Sequence, residues 1–166
     1  MKTSYSVVCT SCGKSFTDEN MPLSCDCGTP ALLRALYEKK QLNPGPESLG
    51  LYKFADWMPV RRILDRSAPP VTYRSEKLAS RVGVDDLILT FNGYWPEKGA
   101  DMQTGTFKEC EAFSVCARIP KDYPKTLVVA CAGNPARAFA RVCSANNIRL
   151  VIVVPEKNLQ AMWFTE

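Results

Sequence analysis

The chain contains no histidine among its 166 residues. Catalytic triads and dyads with a histidine base are therefore excluded, and so is every metal site with a histidine ligand. Acid–base chemistry near neutral pH must come instead from lysine, cysteine, a carboxylate or a bound cofactor.

Long apolar runs and concentrated positive charge are also missing. No segment approaches the roughly 20 apolar residues of a membrane-spanning helix, and the first residues, MKTSYSVVCTSCGKSF, lack the apolar core of a secretion signal. The net charge of +4 is spread along the chain, without the basic stripe of a nucleic-acid-binding protein. We expect a globular cytoplasmic protein that binds neither membrane nor nucleic acid.

Cysteine, by contrast, is abundant, with eight residues in a chain that we expect to be cytoplasmic. Four of them form a C-x2-C pair and a C-x-C pair separated by twelve residues: Cys9, Cys12, Cys25 and Cys27. Two such pairs supply four thiolates for tetrahedral coordination, which predicts a structural zinc site, with iron in a rubredoxin-like site as the alternative. The other four cysteines, Cys110, Cys116, Cys131 and Cys143, lie in apolar-periodic segments, and most of them are predicted to be core residues.

The pattern along the chain predicts three regions. Residues 1–30 form the cysteine-rich segment, and residues 31–70 form a helix, predicted from ALLRALYEKKQL, followed by the proline- and glycine-rich linker NPGPESLG. Residues 71–166 form an incomplete α/β domain. Within it, DLILTFNG is predicted to be a strand, and GTFKECEAFSVCARI a helix with Phe107, Cys110, Ser114 and Ala117 on one face beside Phe113 and Cys116.

The clearest unit is TLVVACAGNPARAFARVCSANNIRLVIVVP, residues 126–155. Its two continuous apolar runs are typical of parallel strands that are buried on both faces. The segment between them predicts a helix with Asn134 as N-cap, Pro135 at the first helical position and Asn146-Asn147 at the end; its buried stripe is Ala136, Phe139, Ala140, Val142 and Cys143. This β-α-β pattern predicts a parallel sheet.

Two places on this framework can carry chemistry. Lys108 follows a Thr-Gly-Thr-Phe turn at the start of a predicted helix, and CAGNP joins a strand to a helix whose N-terminus can receive a carboxylate or phosphate. A lysine near such a site, in a chain without histidine, indicates Schiff-base chemistry. The alternative for Lys108 is a solvated surface lysine.

Both places resemble a known family. QTGTFKE is similar to the P-T-G-S-F-K-D motif of fold-type II pyridoxal-phosphate (PLP) enzymes, and CAGNPARAFA to their S-S-G-N-x-x-x-A loop and helix. PPVTYRSEKLASRVGVDDLIL resembles the segment before that lysine in threonine synthases, and a cysteine-bearing N-terminus also occurs among threonine-synthase-like proteins. The resemblance covers nearly the whole chain and implies an α/β fold with part of the tryptophan synthase β-like parallel sheet and a zinc-ribbon-like segment before it.

Within that family, three departures favour the cysteate synthase branch, which makes cysteate and phosphate from O-phosphoserine and sulfite for coenzyme M biosynthesis. Ala132 replaces the serine before Gly-Asn, Glu109-Cys110 replaces Asp-Arg, and Arg137 lies in the first turn of the following helix. That arginine is a candidate ligand of phosphate or sulfite, with an exposed surface arginine as the alternative. A threonine synthase acting on O-phosphohomoserine is the alternative within the class, and a zinc-ribbon binding module without catalysis is the alternative outside it.

The resemblance also implies residue roles. Lys108 is the catalytic residue: it holds PLP covalently and removes the substrate Cα proton, while Asn134 hydrogen-bonds the 3′-oxygen of the cofactor. The implied substrate-binding residues are Thr104, Gly105, Thr106, Cys131, Ala132, Gly133 and Arg137.

The family's glycine-rich phosphate loop and its partner for the pyridine nitrogen do not occur in these 166 residues. We therefore expect a fragment from the N-terminal part of a longer protein, inactive by itself, with a broad apolar face exposed. For the full-length form, the resemblance implies a homo-oligomer.

Overall fold

A computed structural model describes residues 5–162, apart from the side chain of Ala161. It divides the chain into two compact units. The first comprises the chain up to Leu64 together with Ser114–Pro124, and the second comprises Asp65–Phe113 together with the chain from Lys125 onward. Helices and strands both occur, which confirms the mixed α/β class.

The first unit contains a three-stranded antiparallel sheet in the order β2-β1-β3, followed by an irregular 3-10 segment, Glu47–Trp57. The strands are β1 Tyr5–Cys9, β2 Ser15–Phe16 and β3 Leu33–Tyr37. The helix predicted from Ala31 is therefore wrong, because these residues pair with β1. Ala35 lies opposite Val7 and Tyr37 opposite Tyr5, so the pairing buries one face of β3 and overrides the helix propensity of its leucines and alanine.

A buried carboxylate lies within this first unit. The Asp18 side chain has no exposed surface; it accepts a hydrogen bond from the Tyr5 hydroxyl at 2.6 Å and from Nε of Arg118 at 2.7 Å. Nη2 of Arg61 lies 3.7 Å from the same carboxylate. These contacts link β1 and the segment after β2 to Arg61 and to Arg118 within the Ser114–Pro124 stretch.

The second unit contains two antiparallel strand pairs, a parallel pair and the helices around them. Its strands are β4 Val71–Arg74, β5 Ile88–Phe91, β6 Tyr94–Trp95, β7 Ala100–Asp101, β8 Leu127–Ala130 and β9 Leu150–Val153. The helices are α1 Glu76–Val82, α2 Lys108–Arg118, which continues into the first unit, and α3 Asn134–Ala145; short 3-10 turns span Pro96–Lys98 and Glu156–Ala161. The strand predicted from DLILTFNG is confirmed as β5, which pairs with β4.

The predicted β-α-β unit is confirmed, with β8 and β9 parallel and α3 between them. The burial predicted for both faces of these strands is wrong. Val128, Val151 and Val153 are 61%, 49% and 54% exposed, while the alternating residues are partly buried. The exposed apolar face expected from the sequence is therefore confirmed at this sheet.

The helix predicted around Lys108 is confirmed as α2, and its predicted buried face is confirmed in part. Phe113, Cys116 and Ala117 are fully buried as predicted. Phe107 lies before the helix and is 57% exposed, and Cys110 and Ser114 are half-buried. Glu109 and Ala112 are also fully buried, and hydrophobic spacing could not predict the burial of a glutamate.

Between residues 5 and 162, none of the helices has the length and apolar character needed to cross a bilayer.

Candidate active site

Lys108 is the first residue of α2 and directly follows a tight turn. Gly105 has φ +66°, a left-handed conformation that favours glycine, and its N–H donates to the carbonyl of Met102 at 2.9 Å. The Lys108 side chain is 31% exposed, and its Nζ lies 2.5 Å from the Glu111 carboxylate and 5.0 Å from the centre of the Phe107 ring. The amine is thus held near the surface, where a small molecule can reach it.

The residue after the lysine holds the turn together. Glu109 is 1% exposed, and its Oε2 accepts two hydrogen bonds from Thr104, one from the backbone N–H at 2.8 Å and one from the hydroxyl at 2.9 Å. Its other oxygen lies 3.5 Å from Nε of Arg141 on α3. Two hydrogen bonds and one nearby guanidinium therefore offset the burial of this carboxylate.

The second predicted place is the loop before α3. The helix after it begins one residue earlier than predicted. Gly133 is the N-cap, Asn134 is the first helical residue, and Pro135 follows. The N-cap prediction for Asn134 is wrong because Asn134 already has helical backbone and Gly133 occupies the N-cap position; the Asn134 Oδ1 accepts a bond from Nη1 of Arg137 at 3.4 Å. Asn134 is exposed, as its predicted cofactor contact requires.

The backbone beside Asn134 is open to a ligand. No atom lies within 4 Å of the position that a Cβ on Gly133 would occupy, and the same is true of Gly105. Cys131 and Ala132 are half-buried, and the Gly133 N–H lies 3.4 Å from the Cys131 sulfur. A carboxylate can therefore approach the backbone N–H groups at this helix N-terminus.

Arg137 joins the two predicted places. It is 6% exposed, so the alternative of an exposed helix arginine is wrong, and its Nη2 donates to the Thr104 carbonyl at 2.9 Å across 33 residues of sequence. Burial lowers the pKa of this guanidinium from its ordinary value. Thr104 is thus held from both sides, by Glu109 at its N–H and by Arg137 at its carbonyl.

A cleft of about 850 Å³ runs beside α3 in the same unit. Its lining includes three arginines, Arg66, Arg137 and Arg141, with Thr104 and one acidic residue, Asp101. Lys108 and Asn134 are not among its lining residues. The structure therefore links the lysine turn to the helix of Asn134 through Thr104 and Arg137, and it does not place the lysine and the asparagine in one cleft.

The four cysteines of the first unit converge as their spacing predicts. Their sulfur atoms all lie within 4.8 Å of one another, with Cys9 and Cys27 4.0 Å apart and Cys12 and Cys25 3.6 Å apart. A tetrahedron with metal–sulfur bonds of about 2.3 Å places its sulfurs about 3.8 Å apart. The cluster is therefore suited to a four-thiolate metal site.

The local environment already favours a thiolate at one of these positions. Backbone N–H groups of Cys12 and Ser11 hydrogen-bond the Cys9 sulfur and lower its pKa to about 7. Burial raises the pKa of Cys25 to about 12. Gly13, with φ +74°, donates its N–H to the Cys9 carbonyl at 3.0 Å and closes the first cysteine turn.

Sequence reasoning missed two residues that organise these places, Glu109 and Asp18. In the sequence, Glu109 stands out only as a departure from the usual aspartate. An acid in the first turn of a helix nevertheless commonly reaches back to the residues before it. No local pattern marked Asp18, because its partners Tyr5 and Arg118 lie 13 and 100 residues away.

No family model matches the chain, and no solved structure matches it. Curated relatives do match. The cysteate synthase of Methanocella arvoryzae is 43% identical over 159 residues, which are 96% of this chain and 37% of that protein. The cysteate synthase of Methanosphaerula palustris is 40% identical over 166 residues, 100% of this chain and 39% of that protein.

A third cysteate synthase, from Methanothrix thermoacetophila, is 42% identical over 164 residues, 97% of this chain and 38% of that protein. The chain thus spans little more than a third of the length of these relatives. The resemblance inferred from the motifs is confirmed: over nearly all of its length, this chain is a relative of the cysteate synthases.

Proposed function

We propose that this chain carries the lysine and asparagine sites of a PLP-dependent enzyme that exchanges phosphate for sulfite at Cβ of O-phosphoserine, giving cysteate. The observation that carries the proposal is the junction at Thr104. A turn that ends in Lys108 is bonded to the helix that begins at Asn134, through the 2.9 Å hydrogen bond from Arg137. The sequence relationship to proteins named cysteate synthase supports the same reaction.

The lysine and the asparagine of this chain are accessible enough to contact PLP. The Lys108 amine is partly exposed, Asn134 is exposed, and the space above Gly133 is open. When bound, PLP supplies an electron-accepting ring that stabilises negative charge at the substrate Cα. Lys108 would hold it covalently and Asn134 would bond its 3′-oxygen.

Side chains and backbone groups of this chain would transfer the proton and bind the substrate carboxylate. Once a substrate amine has displaced it, the Lys108 amine takes the proton from the substrate Cα at its Nζ. The N–H groups beyond Cys131, Ala132 and Gly133, with Thr104, Gly105 and Thr106, would receive the substrate carboxylate. A contact of Arg137 with phosphate or sulfite stays a prediction, as do a homo-oligomeric full-length form, a cytoplasmic location and residues 71–166 as the PLP-binding part.

For the cysteine cluster we propose a structural zinc ion held by Cys9, Cys12, Cys25 and Cys27 in a zinc-ribbon-like segment. All four positions would be filled by thiolates, which leaves no open position for a reacting molecule. The sulfur separations of 3.6 and 4.0 Å support this assignment.

The reaction can be tested on a chimera in which this chain replaces the matching segment of the Methanocella arvoryzae cysteate synthase. With PLP, O-phosphoserine and sulfite, we expect cysteate and phosphate in equal amounts, measured by mass spectrometry and phosphate release. Lys108→Ala in the chimera should lower the rate at least about 10³-fold, because it removes both the attachment point and the base. Phosphate release from O-phosphohomoserine with threonine as product, and none from O-phosphoserine, would indicate a threonine synthase instead.

A further inference from the structure

We propose that Glu109 is a positioning residue: it fixes the Thr104–Lys108 turn and thereby the place from which the Lys108 amine acts. The inference rests on the proposed function for the role of the lysine. The fixing of the turn itself rests only on contacts of described residues.

The Glu109 carboxylate reaches back to the first residue of the turn. Glu109 turns back over five residues, and one oxygen accepts both the N–H and the hydroxyl of Thr104, at 2.8 and 2.9 Å. Thr104 and Glu109 are 4% and 1% exposed, so water does not compete for these bonds. Lys108 lies inside the loop that these two residues close.

Backbone hydrogen bonds restrain the rest of the turn. The Glu109 N–H donates to the Thr106 carbonyl at 3.1 Å, and the Gly105 N–H donates to Met102 at 2.9 Å. The Thr104 carbonyl is held by Arg137. With both ends of the turn bonded, these contacts tie the backbone of Lys108 to the start of α3.

Substitution can separate a positioning role of Glu109 from a purely electrostatic role. The Glu109 carboxylate also lies 3.5 Å from Arg141, so a purely electrostatic role would need its negative charge. A positioning role needs the reach of the side chain and an accepting oxygen. Glu109→Gln keeps the reach and loses the charge, whereas Glu109→Asp keeps the charge and loses one methylene of reach.

The experiment compares these two variants with Glu76→Asp, an exposed glutamate in the first turn of α1. Each purified chain is incubated with PLP and reduced with borohydride, and peptide mass spectrometry gives the label on Lys108 relative to Lys98 and Lys125. We expect Glu109→Gln and Glu76→Asp to stay within about twofold of the unaltered chain. Glu109→Asp should fall about tenfold, since displacing a reacting group by about 1 Å can cost as much as a hundredfold.

A second readout needs no cofactor. Amide hydrogen exchange at Thr104 should accelerate about tenfold in Glu109→Asp and stay near that of the unaltered chain in Glu109→Gln, because only the former loses the bond. If the unaltered chain shows no preference for Lys108, the proposed function fails, and amide exchange alone then decides whether Glu109 fixes the turn. Equal exchange in all variants, or labelling that is kept in Glu109→Asp and lost in Glu109→Gln, would overturn the inference.

Discussion

Cys12→Ser is expected to abolish stoichiometric zinc binding and to destabilise the three-stranded sheet of the first unit. Cys12 is exposed, so the change removes no core packing, and its sulfur lies 3.6 Å from that of Cys25. Structural zinc contributes about 10–16 kcal/mol of apparent folding free energy in small zinc-binding peptides. Losing one thiolate should therefore cost at least about 3 kcal/mol, or roughly 10 °C in the thermal midpoint.

The measurement is zinc per chain by elemental mass spectrometry, together with the thermal midpoint. Cys110→Ser is the matched control, because Cys110 lies on α2 and outside the cluster. The control should keep one zinc per chain, and a strong chelator added to the unaltered chain should reproduce the Cys12→Ser midpoint. One zinc retained by Cys12→Ser, or none bound by the unaltered chain, would contradict the assignment.

Asp18→Ala should have the next largest effect, a loss of about 3 kcal/mol in the free energy of unfolding at pH 7. The Asp18 side chain has no exposed surface, and its removal takes the acceptor from the Tyr5 hydroxyl and from Nε of Arg118, whose Nη2 keeps its bond to the Pro22 carbonyl at 3.2 Å. Asp86→Ala is the control, since Asp86 pairs with Arg74 at 3.2 Å but both side chains are at least half exposed. Urea unfolding should show a loss of about 1 kcal/mol or less for the control; equal losses in the two variants would contradict the role of Asp18.

The same cluster sets a pH dependence. Burial by itself would raise the pKa of Asp18, but hydrogen bonds from Arg118 and Tyr5 and the charges of Arg118 and Arg61 lower it below its ordinary 3.8. The stabilisation by the carboxylate is therefore fully present above pH 3.8 and lost as the pH falls through the lower, folded-state pKa. The difference in unfolding free energy between the unaltered chain and Asp18→Ala should shrink in that acid range.

The hydroxyl of Tyr5 gives a second pH dependence, at alkaline pH. Its burial, together with the bond to Asp18 and the Asp18 charge, raises its pKa from 10.0 to about 12. The neutral hydroxyl is favoured in the fold, so its contribution to stability is present below pH 10 and is lost as the pH rises through about 12.

The parts of the fold that local pattern determines were predictable from the sequence. The apolar runs of β8 and β9 and the periodic residues of α3 lie next to one another in the chain, so their pairing needed no distant information. The convergence of the four sulfurs was likewise predictable from the cysteine spacing, since a glycine with φ +74° follows each pair, at Gly13 and Gly28.

The parts that depend on distant partners were not predictable. The segment of β3 has helix-forming residues, and only its pairing with β1, which begins at Tyr5, makes it a strand. The burial of Arg137 depends on Thr104, which lies 33 residues earlier, and hydrophobic periodicity does not register a buried glutamate such as Glu109. The motifs name candidate residues for the chemistry, but they did not predict the contacts that hold those residues.

Borohydride reduction of the PLP-treated chain shows whether Lys108 is the attachment point for PLP. If it is, we expect a Schiff-base absorbance band, a reduced adduct on the Lys108 peptide, and the loss of both in Lys108→Ala. Lys98→Ala serves as the control and should leave them unchanged. Label spread evenly over the lysines, with the same spectrum in Lys108→Ala, would contradict the claim.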